Sequence, residues 1–328
     1  MKKLFVSVLA IAAAVACNNS EIVSMDKGEA IQFGNAFVNN STRADDPSYS
    51  ANDINNFLVY GTANNVVIYP GATVTKTDDY GKAWSCTYNG NEIKQYWIAN
   101  ADYKFVGIVD GAKTNVTETT IVDGMPTEIS YTADGETDLL CQTITRKNDT
   151  SIVAFDFAHL LSKVNFTVTN KTKDAAGYSF VVKNINFKGN TVGVYDVVNG
   201  GWNTEEFESG DTAVGNERTV NSEVVKDIVV ASGVAKNELS TEVLFLPGEY
   251  KITFTVDILY NGDLVTTTNY PAEGAYTHTL VQANAYNFNV DVAVGKLIEF
   301  TVAKQPEWGN GNTGDSNADD VMDYVPLQ

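Results

Sequence analysis

The stretch Tyr250-Lys251-Ile252-Thr253-Phe254-Thr255-Val256-Asp257-Ile258-Leu259-Tyr260-Asn261-Gly262-Asp263-Leu264-Val265-Thr266-Thr267-Thr268-Asn269-Tyr270 decides the fold class. Its apolar residues Tyr250, Ile252, Phe254, Val256 and Ile258 recur with period two. Successive side chains of an extended strand point to opposite faces, so this pattern buries one face and wets the other. Asn261-Gly262 then breaks the run, and a second β-branched run follows. Asn-Gly readily takes the left-handed backbone that a two-residue turn requires, so the stretch reads as a β-hairpin.

Period-two segments recur on both sides of it. Before residue 149 they fall at 31–37, 56–61, 66–70, 84–88 and 103–108. After it they fall at 152–157, 163–169, 178–187, 191–198, 224–230, 242–246, 276–280, 286–292 and 298–302. β-branched and aromatic runs bounded by Gly, Asn, Asp and Pro are strand signals. Helical periodicity is scarce, with short candidates at 139–145 and 158–163. Residues 39–52 and 203–222 are polar and read as loops. Many short strands with regular turns predict an all-β protein, and the length suits two β-sandwich domains in tandem. The polar run Arg146-Lys147-Asn148-Asp149-Thr150 places the boundary, giving domains at 44–149 and 150–304.

The N-terminus has a different character. Lys2 and Lys3 precede an apolar run over 4–16 that is too short to span a bilayer. A basic start, an apolar middle and small residues before a cut define a signal peptide over residues 1–16. The sequence Ala14-Val15-Ala16-Cys17 resembles a bacterial lipobox, which implies cleavage before Cys17 and lipidation of its sulfur. The blander reading is a secretory peptide with an incidental Cys17. Lipid on Cys17 is the only membrane contact expected.

Charge narrows the partners. The 328 residues carry a net charge of −19. Loss of Lys2 and Lys3 leaves 20 basic against 41 acidic residues, a balance of −21. That disfavours nucleic-acid backbones and anionic membrane surfaces. Beyond Cys17 only Cys86 and Cys141 remain. Export permits a disulfide between them, and two small buried hydrophobes are an equal alternative.

No catalytic motif emerges. There is no nucleophile elbow, P-loop or dinucleotide fingerprint. His159 and His278 have no Cys or carboxylate at zinc-site spacing and read as structural. Asp315-Ser316-Asn317-Ala318-Asp319 has part of a calcium-loop spacing, but Asp320 and Pro326 stand where Gly and Glu belong, so it reads as linker. Trp97 and Trp202 could offer sugar-binding faces, although core packing is the commoner use. No cofactor or metal is expected, and the chain is not read as an enzyme. Residues 305–328 form a Gly- and Asn-rich linker ending in Val321-Met322-Asp323-Tyr324-Val325-Pro326-Leu327-Gln328.

Four features together resemble the fimbrillins, subunits of the protease-matured pili of Gram-negative anaerobes. They are the lipobox upstream of Ser41-Thr42-Arg43-Ala44, the strand Phe57-Leu58-Val59-Tyr60-Gly61, the segment Phe155-Asp156-Phe157-Ala158-His159-Leu160-Leu161-Ser162-Lys163-Val164, and the run Ala283-Asn284-Ala285-Tyr286-Asn287-Phe288 leading to Trp308. The resemblance implies two transthyretin-like sandwiches. It also implies cleavage by a trypsin-like protease between Arg43 and Ala44, which releases the lipidated leader 17–43 with a removable strand containing Ile31, Phe33 and Phe37. A neighbouring subunit's C-terminal strand then fills the vacated groove. On this chain the donor residues are Val321, Met322, Tyr324, Val325 and Leu327, and the partners are other fimbrial subunits. Arg43 is the only Lys or Arg between Lys27 and Lys76. Asp323 breaks the donor's apolar parity and Pro326 removes an N–H, so its register stays open. The alternative function is a non-polymerising surface lipoprotein or tip adhesin that binds a glycan or host ligand.

Overall fold

The computed structural model describes residues 28–38 except 35, 54–77, 84–110, 115–147, 152–173, 176–203, 217–220, 227–305 except 235, 240, 241 and 297, and 320–321. Every regular element among them is a strand. The deciding hairpin forms as read. Gly248–Tyr260 and Asp263–Tyr270 pair antiparallel with Tyr260 opposite Asp263. Asn261 and Gly262 take φ of 50° and 92°, the left-handed values of the tight turn. Tyr250, Ile252, Phe254, Val256 and Ile258 are all buried.

They belong to a C-terminal sandwich of two six-stranded sheets. One sheet runs Lys236–Glu238, Ser162–Asn170, Ala285–Val292, Glu299–Gln305, Asp320–Val321, with Val243–Phe245 also on Ser162–Asn170. The other runs Glu217–Val220, Tyr178–Asn190, Gly248–Tyr260, Asp263–Tyr270, with Ile228–Val230 and Tyr276–Leu280 also attached. Ser162–Asn170 lies parallel to Ala285–Val292 in the middle of the first sheet. Phe166, Phe187, Phe254, Phe288 and Phe300 fill the space between the sheets. Burying an aromatic of this size contributes about 1.5–3 kcal/mol, so this cluster dominates the module's stability.

The N-terminal module is a curled eight-stranded sheet. Its order is Phe37–Val38, Asp156–His159, Leu139–Lys147, Asp102–Asp110, Asn56–Ala63, Val66–Lys76, Trp84–Tyr88, Asn91–Glu92. A register shift between Val59 and Tyr60 bends the sheet at Pro70-Gly71, where Gly71 has φ 93° and a Cβ would meet the Tyr60 ring at 2.9 Å. Such a bulge also accommodates Pro70, which has no N–H to give. The concave face buries Phe57, Val59, Tyr69, Phe105, Phe155 and Phe157. The opposite face packs on a four-stranded sheet of Gly201–Asn203, Val192–Asp196, Met125–Thr132 and Val116–Val122.

Three sequence expectations change. Residues 139–145 are strand, and 158–163 hold the end of Asp156–His159, a break at Leu160-Leu161 and the start of Ser162–Asn170, with no helix in either place. Leu139–Lys147 lies along the whole of Asp102–Asp110, and its Thr143, Ile144 and Thr145 suit that pleated surface. Residues 203–222 are not all loop, because Glu217–Val220 pairs with Tyr178–Asn190. The hairpin of Val116–Val122 and Met125–Thr132 carries an Asp123-Gly124 turn that the pattern reading passed over. The two strands that flank residues 149 and 150 pair with each other, and Val192–Asp196 returns to pair with Met125–Thr132. The cores part after Leu161, where the chain leaves the first module for the second.

Cys86 and Cys141 are free and buried on opposite faces of the eight-stranded sheet, so the disulfide alternative falls. Burial pushes both thiols up to about 12. At pH 8 the thiolate is therefore scarce, and a maleimide should modify both roughly a thousandfold more slowly than free cysteine. Peptide mapping before and after unfolding checks this; rapid labelling of the folded protein would contradict the burial.

Candidate strand-exchange groove

Residues 28–38 thread between the two free margins of the curled sheet. On one side Ile31 N–H donates to Gln95 O at 2.8 Å, and Trp97 N–H donates to Glu29 O at 2.9 Å. On the other, Val153 N–H donates to Gln32 O at 2.8 Å and Gly34 N–H to Val153 O at 3.2 Å. Further along, Phe37 and Val38 pair in parallel with Asp156 and Phe157. This segment thus closes a sheet that otherwise ends in two unpaired edges.

Its side chains alternate as a half-buried strand must. Ile31 and Phe33 are buried while Gln32 is exposed. Phe33 is the central plug. Its ring centroid lies 5.2 Å from Tyr69, 6.2 Å from both Phe57 and Phe105, and 6.5 Å from Phe155. Ala36 is also buried, which breaks the parity shared by Ile31 and Phe33. Phe33 pairs with Val153 and Phe37 with Asp156, so one extra residue bulges the strand between them. Gly28 and Gly34 sit where the walls come closest. A Cβ on Gly28 would lie 2.7 Å from Trp97 O, and one on Gly34 would lie 2.9 Å from Ile152 Cγ2.

The walls are tied to each other as well as to the strand. The Arg146 guanidinium lies 5.1 Å from the Trp97 ring on one wall and donates to Ile152 O at 3.2 Å on the other. A cation over an indole face is worth about 0.5–2 kcal/mol. Trp97 itself is buried, packed 4.7 Å from Tyr103. Trp202 sends its Nε1–H to Leu160 O at 2.7 Å at the module junction. Neither indole is therefore an open platform for a sugar.

The segment 155–166 links groove and junction. Phe155 and Phe157 line the groove. His159 is buried with its Nδ1 2.6 Å from Asp138 Oδ2. Burial pushes the Asp138 carboxyl up, and the contact with His159 opposes the shift. Ser162 Oγ donates to Val281 O at 2.8 Å, and Lys163 Nζ meets Glu242 Oε2 at 2.9 Å. His278 Nδ1 lies 3.3 Å from Tyr276 Oη. Both histidines are held in packing and hydrogen bonding. Among the described residues no His, Cys, Asp and Glu cluster could hold a metal ion, and no helix could cross a membrane.

Cys17, Arg43, Ala44, Met322, Tyr324, Val325 and Leu327 lie outside the described residues, as does the Asp315–Asp319 spacing. Val321 is described through its backbone, which pairs with Thr301 at the edge of the first six-stranded sheet. Pattern reading located the strand at Ile31 and Phe33 but not its second wall at Gln95–Trp97. The cue there is a short run after the Asn89-Gly90 turn, with Trp97 as its one large aromatic anchor.

An all-β chain of two sheet modules, one closed by its own N-terminal strand, defines the class. The match to the Fimbrillin-like model spans residues 42–304, and the chain belongs to that family. It is similar to a fimbrial protein from Bacteroides vulgatus at 14% identity, covering 76% of this chain and 91% of that one, with a TM-score of 0.55. It also aligns with a fimbrial assembly protein from Parabacteroides distasonis at 11% identity (76% and 88% covered, TM-score 0.35). The fimbrial anchor protein Mfa2 from Porphyromonas gingivalis aligns at 10% identity (85% and 97% covered, TM-score 0.35). Of these three, only the first bears on the fold. No curated protein matches the sequence.

Proposed function

We propose that this chain is a structural subunit of a surface fimbrium, exported as a lipoprotein through Cys17, cleaved between Arg43 and Ala44, and polymerised by strand exchange. The observation that carries this reading is the seating of residues 28–38. Ile31 and Phe33 complete the core of the N-terminal module. They lie upstream of Arg43, the first basic residue after Lys27. A cut at Arg43 severs the strand from the sheet it closes. What then holds the strand is non-covalent, and a second strand can compete for the same ladder and pockets.

The segment 321–327 supplies a candidate competitor, with Val321, Val325 and Leu327 sharing parity as Ile31 and Phe33 do. The fimbrillin-like family and the likeness to a fimbrial protein support this role. The chain acts structurally, and its partners are further fimbrial subunits and the processing protease.

Arg43→Ala tests the reading. In the producing cell it should leave the lipid-bound precursor uncleaved and polymer absent, while the folded precursor keeps its melting point. Gel mobility and fatty-acid labelling at Cys17 report both. Normal maturation of the variant would move the cut elsewhere and remove the link to the seated strand.

A further inference from the structure

Two departures from regular strand pairing meet on the outer face of the second module. Both neighbours of Gly248–Tyr260 leave it at the same level. On one side Lys183 pairs with Thr255 and Asn186 with Thr253, so Asn184 and Ile185 together oppose Phe254. On the other side Tyr270 pairs with Phe254 and Tyr276 with Ile252, so residues 271–275 loop out opposite Thr253.

The bulge re-aims side chains. Phe180 and Val182 are buried before it, and Ile185 and Phe187 after it, so the inward parity changes. Neither Lys183 nor Asn184 is buried, and Asn184 is exposed. Asn184 takes φ of 51°. Among the described residues it is the one non-glycine with a positive φ inside a strand; the others lie in turns. Bulges that redirect a side chain occur preferentially beside functional sites, and a left-handed residue held outside a turn points the same way.

Between the bulge and the loop lies a cleft of about 280 Å³. Asn184 and Asn186 line one side, Asn269 and Pro271 line the other, and Thr253 and Thr255 lie between them. No lining residue is charged, in a chain with 22 basic and 41 acidic residues. Lys183 stands at this level, but its ammonium is held by Asp257 and both lie outside the lining. Asn186 Nδ2 donates to Asn184 O at 2.7 Å, and Thr255 Oγ1 donates to Asn269 Oδ1 at 3.1 Å. These bonds orient two amides and leave Asn186 Oδ1 as an acceptor and Asn269 Nδ2 as a donor. The Asn184 amide and the Thr253 hydroxyl have no partner among the described residues.

We infer that this cleft binds a neutral saccharide unit. Sugar hydroxyls both donate and accept, and the cleft offers amides and a hydroxyl that do the same at close spacing. Pro271 supplies an apolar side for the C–H face of a sugar ring. An anion would find no cation in the lining and a net charge of −19 around it. An extended peptide is gripped through a free strand edge, whereas Gly248–Tyr260 is paired on both sides. The volume is close to the lower bound of about 300 Å³ for ligand clefts, which suits a single sugar unit of a longer glycan. The cleft belongs wholly to the second module, so the inference does not rest on strand exchange.

Saturation-transfer NMR on the full, uncleaved chain tests it. The probes are the methyl glycosides of mannose, galactose, fucose and N-acetylglucosamine, with methyl glucuronide and an uncharged oligothreonine peptide for comparison. At least one neutral glycoside should bind, and more tightly than the glucuronide or the peptide. Asn184→Gly keeps the left-handed backbone and removes the amide. Thr253→Val keeps a β-branched residue and removes the hydroxyl. Each should weaken the bound glycoside about fivefold, the usual effect of losing one hydrogen bond, at the parental melting point. Asn261→Gly makes the first exchange at a turn outside the cleft and should bind as the parent does. Affinity unchanged in both cleft variants, or equally reduced in Asn261→Gly, overturns the site. Tighter binding of the glucuronide or the peptide overturns the ligand class, and no binding of any neutral glycoside overturns the inference outright.

Discussion

Phe33→Ala should destabilise the uncleaved protein by about 3–5 kcal/mol, the usual range for emptying a buried phenylalanine site. The ring sits among Phe57, Tyr69, Phe105 and Phe155, on a strand pinned at both sides, so little can collapse into the space it leaves. Denaturant midpoints measure the loss. The same experiment after the cut at Arg43 separates a permanent core residue from a replaceable one. Once the leader has left, parent and variant are the same molecule, and their midpoints should coincide. Phe57→Ala is the control. Phe57 is equally buried but lies on Asn56–Ala63, downstream of the cut, so its penalty should persist in both forms. A Phe33 penalty that survives cleavage would mean that residues 28–38 remain part of the mature fold.

Deleting residues 321–328 should abolish polymer formation and leave a folded, exported monomer. The only described contact this removes is the backbone pairing of Val321 with Thr301 at a sheet edge. Stability should therefore change by less than about 0.5 kcal/mol. Polymer yield, read by size-exclusion chromatography after cleavage, should fall to background. Polymers of normal length from the truncated chain would take the donor role away from Val321, Val325 and Leu327.

Much of this architecture was legible because period-two patterning survives in residue order. Tyr250 to Ile258 and Phe57-Leu58-Val59 show their buried faces directly, and Asn261-Gly262 names its own turn. The short helices read at 139–145 and 158–163 failed because Leu139-Leu140-Cys141 and Leu160-Leu161 are continuous apolar runs. Leu140 faces the groove core while Leu139 and Cys141 face the opposite side of the sheet, and a strand buried on both faces loses its alternation; Leu160 and Leu161 are buried together in the connection between two strands. The hairpin at Asp123-Gly124 escaped because Val116–Val122 is largely exposed and offers little apolar contrast.

The groove was half legible. Ile31 and Phe33 announce a strand, but nothing local says that its neighbours are Gln95 and Val153. Long-range pairing depends on how the whole eight-stranded sheet is arranged, which no local pattern encodes. The burial of Ala36 follows from a one-residue offset that only the pairing with Val153 and Asp156 reveals.

The most direct test is the N-terminal residue of the protein in assembled surface fibres, read by mass spectrometry of sheared material. The account predicts that the chain starts at Ala44, with Ile31 and Phe33 absent from the fibre. A chain that starts at acylated Cys17 and retains residues 28–38 in the assembled fibre would contradict it.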